Sequence, residues 1–323
     1  MIKGYVSDKG RLVSIDSPMD HMDQVIWFDL LHPTLDEELM LGRRLGITLP
    51  TREDMEEIEI SSRLYFENDA AFMTATLPSQ VEGDSPILAP VSFILTDHRL
   101  VTVRYHEPRS FFTFAIHAEK AAMGCTSGES ALVALLEAVV DRLADILEHG
   151  ARDLDKISRD ILQQDRRSPL RSKDFQHLLR EIGLSGDLTS DIRDCLATME
   201  RLVGFLGHAL GQRKVTKELK ERVKTLSRDI RSLADYSGFM SQKITFLLDA
   251  TLGMISIEQN GIIKILSVAS VVFLPPTLIA SFYGMNFQYM PELESPYGYP
   301  IAFGAMVLSA ILPYLFFKYK KWL

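Results

Sequence analysis

The sequence predicts an α+β multi-domain membrane protein with an N-terminal α/β cytoplasmic domain, a long helical stalk and a C-terminal two-helix transmembrane hairpin. Three observations predict this fold class. Residues 1–125 mix short strand-like and helical segments, and residues 126–260 carry the apolar period of long helices. Residues 261–323 contain two uncharged apolar runs. A hydrophobic share of 46% over 323 residues fits two membrane spans joined to a larger soluble part.

The N-terminal domain is predicted from short runs of β-branched and aromatic residues. The predicted strands are 11–15, 25–30, 71–76, 91–95 and 100–103. Thr34 and Glu37 have the spacing of a capping box, which predicts a helix that runs to Leu45. Asp97-His98-Arg99 predicts a hairpin turn. No glycine-rich phosphate-binding loop follows any of these strands, so the domain gives no indication of a nucleotide site.

The stalk is predicted from apolar residues that recur every three or four positions from Glu129 onwards. The pattern predicts three long helices at about 129–165, 172–209 and 216–283. The third helix has no proline before Pro275, so it should continue from the stalk into the membrane. At 1.5 Å per residue it would span roughly 100 Å. A helix of this length needs partners along it, which favours an oligomeric bundle.

The two apolar runs, Ile265–Tyr283 and Tyr299–Phe317, each have about 19 residues, close to the roughly 20 that cross a bilayer as a helix. They predict spans at about 263–283 and 299–317, joined by a short external loop, 284–298. The alternative for the two runs is a buried hairpin in a soluble protein.

Charge predicts the orientation of the hairpin. Lysines lie outside the two runs, at positions 264, 318, 320 and 321, whereas the loop carries only Glu292 and Glu294. Positive residues stay on the inner side, so both the N- and C-termini should be cytoplasmic. The chain is therefore predicted to be a multi-pass protein of the inner (plasma) membrane.

The soluble part is predicted to be acidic. The hairpin holds four lysines against two glutamates, so the total charge of −8 leaves −10 for residues 1–260. Membrane lipid and divalent cations are the expected partners, and nucleic acid is not. Cys125 and Cys195 form no CxxC motif, which suits a reducing cytosol. Neither a nucleophile–base pattern nor a close histidine pair is present, so we predict neither an enzyme nor a cofactor.

One face of the third helix carries small, polar and aliphatic residues in a stripe, called here the mixed stripe. Its members are Asp249, Asn260, Leu266, Ser270, Leu274, Thr277 and Ser281. Polar groups at membrane depth are unfavourable unless they face a bundle interior or water. The stripe therefore predicts the wall of a pore, with close helix packing through small residues as the alternative. The alternative for Asp249 is a solvated surface charge.

The end of the first span resembles a known family. The segments Tyr283-Gly284-Met285-Asn286-Phe287, Met290-Pro291-Glu292-Leu293 and Tyr297-Gly298-Tyr299-Pro300 resemble the signature of the CorA family of divalent-cation transporters. The stretch 260–276, the closing Lys320-Lys321-Trp322-Leu323 and the three-part plan are also similar to that family. The resemblance covers the whole chain and is strongest in the last seventy or so residues.

The resemblance implies a homopentamer in which five copies of the long helix line one pore. Gly284, Met285 and Asn286 would form a selectivity filter at the outer mouth, supported by Tyr283. Mg²⁺ holds its waters tightly and prefers oxygen ligands, so a ring of neutral amides can hydrogen-bond to the hydrated ion. Gly284 would let the backbone turn where the helix ends. Taken alone, Asn286 is also a common helix C-cap.

The resemblance also implies roles for other positions. Thr277, Leu274, Leu266 and Asn260 match pore-facing positions of the family, and the leucines would form apolar constrictions. The loop acids Glu292 and Glu294 would raise the local cation concentration.

Mg²⁺ would be both the transported and the regulatory ion, because the family binds divalent ions between protomers at cytoplasmic carboxylates. Asp229 and Asp84 are candidates for that site, beside the pairs Glu53-Asp54 and Glu56-Glu57. Each of these carboxylates is also explained as a solvated surface charge.

Three functions stay open at this point. The first is a pore-forming Mg²⁺ uptake channel that also passes Co²⁺ and Ni²⁺ and is gated by cytoplasmic Mg²⁺. The second is a zinc transporter of the related branch, with or without proton coupling, and the third is a non-conducting membrane scaffold. Met285 and the Met-Pro-Glu-Leu loop favour the first.

Overall fold

The computed structural model describes residues 1–80, 86–162, 172–286, 290 and 295–320. The chain divides into two compact units, residues 1–169 with 177–248 and residues 170–176 with 249–323. The first unit contains a seven-stranded sheet. Its strands are β1 (Ile2–Asp8), β2 (Arg11–Ile15), β3 (Val25–Leu31), β4 (Leu64–Glu67), β5 (Ala70–Ser79), β6 (Ile87–Thr96) and β7 (Arg99–Arg104).

The sheet has the order β2-β1-β3-β7-β6-β5-β4. Every neighbouring pair is antiparallel except β3 and β7, which run parallel with Trp27 opposite Leu100. All five predicted strands are confirmed. β1 and β4 were not predicted, because β4 has only four residues and β1 includes glycine, lysine and aspartate, which weaken a strand pattern.

Eight α-helices are seen in the described residues. They are α1 (Leu35–Leu45), α2 (Arg52–Glu56), α3 (Ile60–Arg63), α4 (Arg109–Lys120), α5 (Gly128–Leu162), α6 (Ser172–Gln212), α7 (Lys217–Tyr283) and α8 (Gly298–Tyr319). The capping box at the start of α1 is confirmed: the Glu37 N–H donates to Thr34 Oγ1, and the Thr34 N–H donates to Glu37 Oε2. The three long helices are confirmed to within a few residues. The predicted break at 166–169 lies outside the described residues.

The centre of the sheet holds a buried polar network. Arg104 Nη2 donates to Asp29 Oδ2 over 2.8 Å, and Thr102 Oγ1 donates to Asp29 Oδ1 over 2.8 Å. Trp27 Nε1 in turn donates to Thr102 Oγ1 over 3.0 Å. The buried charges are thereby paired and hydrogen-bonded, as a low-dielectric interior requires. The network joins β3 to β7 at the sheet's parallel pair.

The helix α6 covers an exposed edge of the sheet. β4 pairs only with residues 70–73 of β5, which leaves the rest of β5 as an edge. The Thr76 N–H donates to Thr198 Oγ1 of α6 over 3.1 Å, and the rings of Phe66 and Phe205 lie 4.7 Å apart. The hydrogen bond satisfies one edge N–H, and the ring contact helps to hold α6 over an edge that could otherwise pair with another chain.

Two described helices, α7 and α8, are long and apolar enough to cross a membrane. Only 6% of the apolar window of α7 and none of that of α8 is buried within the chain. The core helix of a soluble protein would be mostly buried, so the chain itself gives no support to the alternative of a buried hairpin.

Candidate functional site

The mixed stripe lies on the uncovered side of α7. All seven of its residues are exposed. Between residues 260 and 283, the buried and half-buried positions are 261, 268, 272, 275, 276, 279 and 283. At about 100° of rotation per residue, these two sets fall on opposite sides of the helix. The stripe therefore lies on a face that remains available to another molecule, and residues outside the stripe, such as Ile265 and Phe273, are exposed as well.

Two of the three hydroxyl groups of the stripe are satisfied inside the helix. Ser270 Oγ donates to the Leu266 carbonyl over 2.9 Å, and Thr277 Oγ1 donates to the Phe273 carbonyl over 2.7 Å. This back-bonding uses the hydroxyl hydrogen and leaves acceptor capacity on each oxygen. Such oxygens can accept hydrogen bonds from water or from the water shell of a cation.

Two leucines interrupt these polar positions. Leu266 and Leu274 are 62% and 66% exposed, although leucine is usually buried. They are two helical turns apart, about 12 Å along the axis. Repeated around an axis, they would give two apolar bands with Ser270 between them.

The helix end shows how the Gly-Met-Asn segment is presented. The last turn of α7 is closed by backbone bonds from the Gly284 N–H to the Ala280 carbonyl and from the Met285 N–H to the Phe282 carbonyl. Asn286 is exposed and lies three residues beyond the end of α7, past the position of a C-cap.

Gly284 differs from the expectation in one respect. Its backbone is outside the left-handed region, since the glycines with positive φ among the described residues are Gly10, Gly46 and Gly124. A Cβ atom at Gly284 would lie 3.2 Å from the Ala280 carbonyl oxygen, closer than ordinary contact. Space beside the last helical turn, not an unusual φ, is therefore what glycine provides here. The predicted loop acids Glu292 and Glu294 lie outside the described residues.

The predicted regulatory carboxylates are less well supported. Asp229 is exposed on α7. It is near Asp141 of α5, whose carboxyl pKa is raised first by burial and then by Glu137, Asp145 and Asp229. Within the part of the chain that the structure describes, no group of three or more histidines, cysteines or acids could hold a metal ion.

The other candidates have local roles or are not described. Asp54 accepts the Thr51 N–H in the capping box of α2, and Glu56 pairs with Arg52 over 2.9 Å. Both have contacts that explain them without a metal ion. Asp84 lies outside the described residues.

A buried ion pair was missed by sequence reasoning. Glu129 was predicted only as the start of a long helix, yet its side chain is 3% exposed and lies 3.3 Å from Arg213. The two residues are 84 positions apart, so no local pattern could have revealed the pair.

Comparisons with known proteins agree with one another. The family model described as CorA-like Mg²⁺ transporter protein matches residues 22–320. The magnesium transport protein CorA of Haemophilus influenzae is 37% identical over 324 aligned positions, and that of Salmonella typhimurium is 35% identical. Both matches cover 100% of each chain.

A solved structure has the same fold. The complete structure of the CorA magnesium transporter from Methanocaldococcus jannaschii matches 100% of this chain and 99% of that chain. The TM-score is 0.78 at 19% identity, so this match speaks for the fold alone. The predicted fold class is confirmed, and the chain belongs to the family of CorA-like Mg²⁺ transporter proteins.

Proposed function

We propose that this chain is one subunit of a homopentameric, pore-forming Mg²⁺ uptake channel in the inner membrane, with both termini in the cytoplasm. The observation that carries the proposal is the mixed stripe, which is exposed along its length and faces away from the packed side of α7. Five copies of α7 with their stripes turned to a common axis would enclose a path lined by oxygen atoms and leucines. The relatives named as magnesium transport proteins support the choice of ion.

The filter would recognise a hydrated ion. Stripping every water from Mg²⁺ is unfavourable, whereas a ring of five Asn286 amides can hydrogen-bond to its water shell. Co²⁺ and Ni²⁺ would pass for the same reason, because the amides would contact the bound water and not the metal. Gly284 and Met285 would position the ring, with Tyr283 supporting it from the last turn of α7.

The path behind the filter would alternate in polarity. Ser281, Thr277 and Ser270 would offer oxygen acceptors, while Leu274 and Leu266 would form constrictions that close by losing water. Asn260 and Asp249 would form polar rings towards the cytoplasm. The alternation would let a hydrated ion pass while the leucine rings are wetted and stop it when they dry.

Gating would respond to cytoplasmic Mg²⁺ held between copies at carboxylates such as Asp229 and Asp84. Transport would follow the membrane potential, since two charges crossing 100 mV release about 4.6 kcal/mol. A driving force of this size would accumulate Mg²⁺ to a high concentration, so a cytoplasmic signal that closes the channel would limit the uptake.

Flux through the purified protein tests the proposal. Liposomes that contain the full-length protein would be loaded with a Mg²⁺-sensitive or Zn²⁺-sensitive dye. Uptake of Mg²⁺, Co²⁺, Ni²⁺ and Zn²⁺ into these liposomes would be compared with and without a pH gradient. We expect Mg²⁺ uptake that follows an inside-negative potential and ignores the pH gradient. Zn²⁺ uptake that increases with the pH gradient would contradict the proposal in favour of a zinc transporter. Liposomes that stay tight would indicate a scaffold.

A further inference from the structure

The connection between α6 and α7 is fastened by one side chain. Arg213 Nη1 donates to the Asp97 carbonyl over 2.8 Å and lies 3.3 Å from Glu129 Oε1. Its Nη2 donates to the Leu95 carbonyl over 3.0 Å and to the Asp69 carbonyl over 3.3 Å. The acceptors come from the β4–β5 turn, the β6–β7 hairpin and the first turn of α5. One guanidinium therefore joins three separate parts of the domain four residues before α7 begins.

The chemistry of this cage suits a guanidinium. Three acceptors are backbone carbonyls, and the fourth is a carboxylate that is 3% exposed. A planar fork with five N–H donors can reach several such oxygens at once, whereas an ammonium is a point charge. His98 also lies 3.5 Å from Glu129, but its side chain is 85% exposed. Arg213, at 19% exposure, is thus the partner that neutralises the buried acid.

Two more ion pairs continue from this point along α5 and α7. Arg222 donates to Glu137 over 2.6 and 2.9 Å, and Lys243 donates to Asp155. With Arg213–Glu129 they form what we call the α5–α7 ladder. The acid always lies on α5 and the base lies on or just before α7.

The acids and the bases of the ladder follow the same order along the chain. The partners are 84, 85 and 88 residues apart in sequence, so the offset grows by about one helical turn from the first pair to the third. Pairs that follow the same order require that α5 and α7 run parallel over this stretch. A shift of α7 by one helical turn would break all three pairs.

We infer that Arg213 is a positioning residue that fixes the start of α7 on the α/β domain, and that the α5–α7 ladder makes the two helices move as one body. The gating consequence rests on the proposed function. If α7 carries the pore face, then loosening its start uncouples it from any cation signal received by the α/β domain. Cytoplasmic Mg²⁺ should then close the channel less effectively.

Melting of the full-length protein in detergent tests the anchor without any transport assay. Arg213→Ala should melt at a lower temperature than wild type, and millimolar methylguanidinium should restore part of the loss, whereas methylammonium should not. Arg231→Ala is the matched control, because Arg231 pairs with Glu200 over 3.1 Å but is 70% exposed. Equal melting temperatures for Arg213→Ala and Arg231→Ala would overturn the inference. So would an equal recovery of the Arg213→Ala melting temperature with methylguanidinium and with methylammonium.

Mg²⁺ flux into liposomes tests whether Arg213 couples cytoplasmic Mg²⁺ to closure of the channel. The variant Arg213→Lys is suitable because lysine keeps the positive charge but lacks the planar guanidinium. We expect a roughly tenfold higher internal Mg²⁺ concentration for half-maximal closure, within the range of measured couplings between sites, and unchanged flux at low internal Mg²⁺. Closure at the wild-type concentration would overturn the coupling. Absence of flux in the wild type would instead refute the proposed function and with it the gating consequence, while the melting rescue would still decide the anchor.

Discussion

Leu266 and its neighbour Ile265 show what the pore hypothesis requires of single residues. Their exposed fractions, 62% and 67%, are almost equal. One residue of helix rotates the side chain by about 100°, which puts Leu266 on the mixed stripe and Ile265 on another side. Residue type and exposure do not distinguish Leu266 from Ile265. The pore hypothesis gives them different roles only because their side chains point in different directions around the helix axis.

Substitution of these neighbours by serine provides a matched test. Leu266→Ser should keep the constriction wetted, so that Mg²⁺ flux persists at internal Mg²⁺ concentrations that close the wild type. Ile265→Ser should close like the wild type, because its side chain would not reach the pore. Flux in liposomes measures both variants. Persistent flux in the Ile265 variant, or normal closure in the Leu266 variant, would contradict the assignment of the stripe.

His106 in the α/β domain is a buried base. Its side chain is 8% exposed, and Nε2 lies 3.0 Å from the Leu77 carbonyl, so Nε2 carries the hydrogen. Burial lowers the pKa of His106 to about 4, with Arg104 and His32 adding to the effect and the Leu77 carbonyl opposing it. The folded protein therefore holds a neutral imidazole at pH values where an exposed histidine is charged.

The pH dependence of stability follows from this difference. Between the ordinary pKa of 6.5 and about 4, the unfolded chain takes up a proton that the folded chain refuses. Stability should fall as the pH drops through that window, by on the order of 2–3 kcal/mol from this residue. His106→Gln keeps a donor for Leu77 and does not titrate, so its melting temperature should fall less from pH 7 to 4.5. Identical pH slopes for the two proteins would contradict the assignment.

The helix α5 begins in a tight space. A Cβ atom at Gly128 would lie 2.4 Å from the backbone of Arg99 and Leu100, which cannot move aside as a flexible side chain can. The Gly128 N–H also donates to the His98 carbonyl. The start of α5 is therefore pressed directly against the β6–β7 hairpin that Arg213 also holds.

Two glycine-to-alanine substitutions should have opposite effects on stability. Gly128→Ala should lower the free energy of unfolding by about 2 kcal/mol or more, because overpacking forces the backbone apart. A Cβ atom at Gly204 in α6 would have no neighbour within 4 Å. Gly204→Ala should therefore raise the free energy of unfolding by about 0.5–1 kcal/mol, since alanine favours the helix. Denaturant unfolding of the two variants provides the comparison. A shift in the same direction for both would be inconsistent with this packing.

Periodic elements were the ones that sequence could predict. The helices α5, α6 and α7 repeat their apolar spacing over many turns, so their presence and their approximate ends followed from the pattern. The short strand β4 gave too little pattern to detect, and α4 was missed although its buried residues Phe111, Phe114 and Ala118 have helical spacing. The α5–α7 ladder joins residues 84–88 positions apart, and such pairs depend on the tertiary fold.

Some features of the candidate site were predictable from sequence, and others were not. Helical geometry fixed the direction of the mixed stripe from sequence, because residues three and four apart share a face. The conformation of Gly284 was not predictable, since glycine tolerates both signs of φ and only the neighbouring carbonyl shows why a side chain is excluded. The role of Asp229 depends on what another copy of the chain would place beside it.

At the scale of the whole molecule, an acidic N-terminal part is joined to a long helix with an exposed face of small, polar and aliphatic residues. The chain carries a charge of −8, and most of its acids lie before the hairpin, so cations would gather around the N-terminal part. Selection would depend on the five Asn286 amides acting together as a ring. Their effect is a property of the assembly that one chain does not possess.

Mg²⁺ influx into liposomes that hold purified wild-type protein or Asn286→Ala, under an inside-negative potential, tests the central claim most directly. Alanine cannot hydrogen-bond to the water shell of the ion, and a loss of about 1.4 kcal/mol at the filter corresponds to roughly tenfold. We predict that the wild type accumulates Mg²⁺ and that the variant loses about tenfold or more of this selective influx. Equal influx and equal ion selectivity in the two proteins would contradict the account.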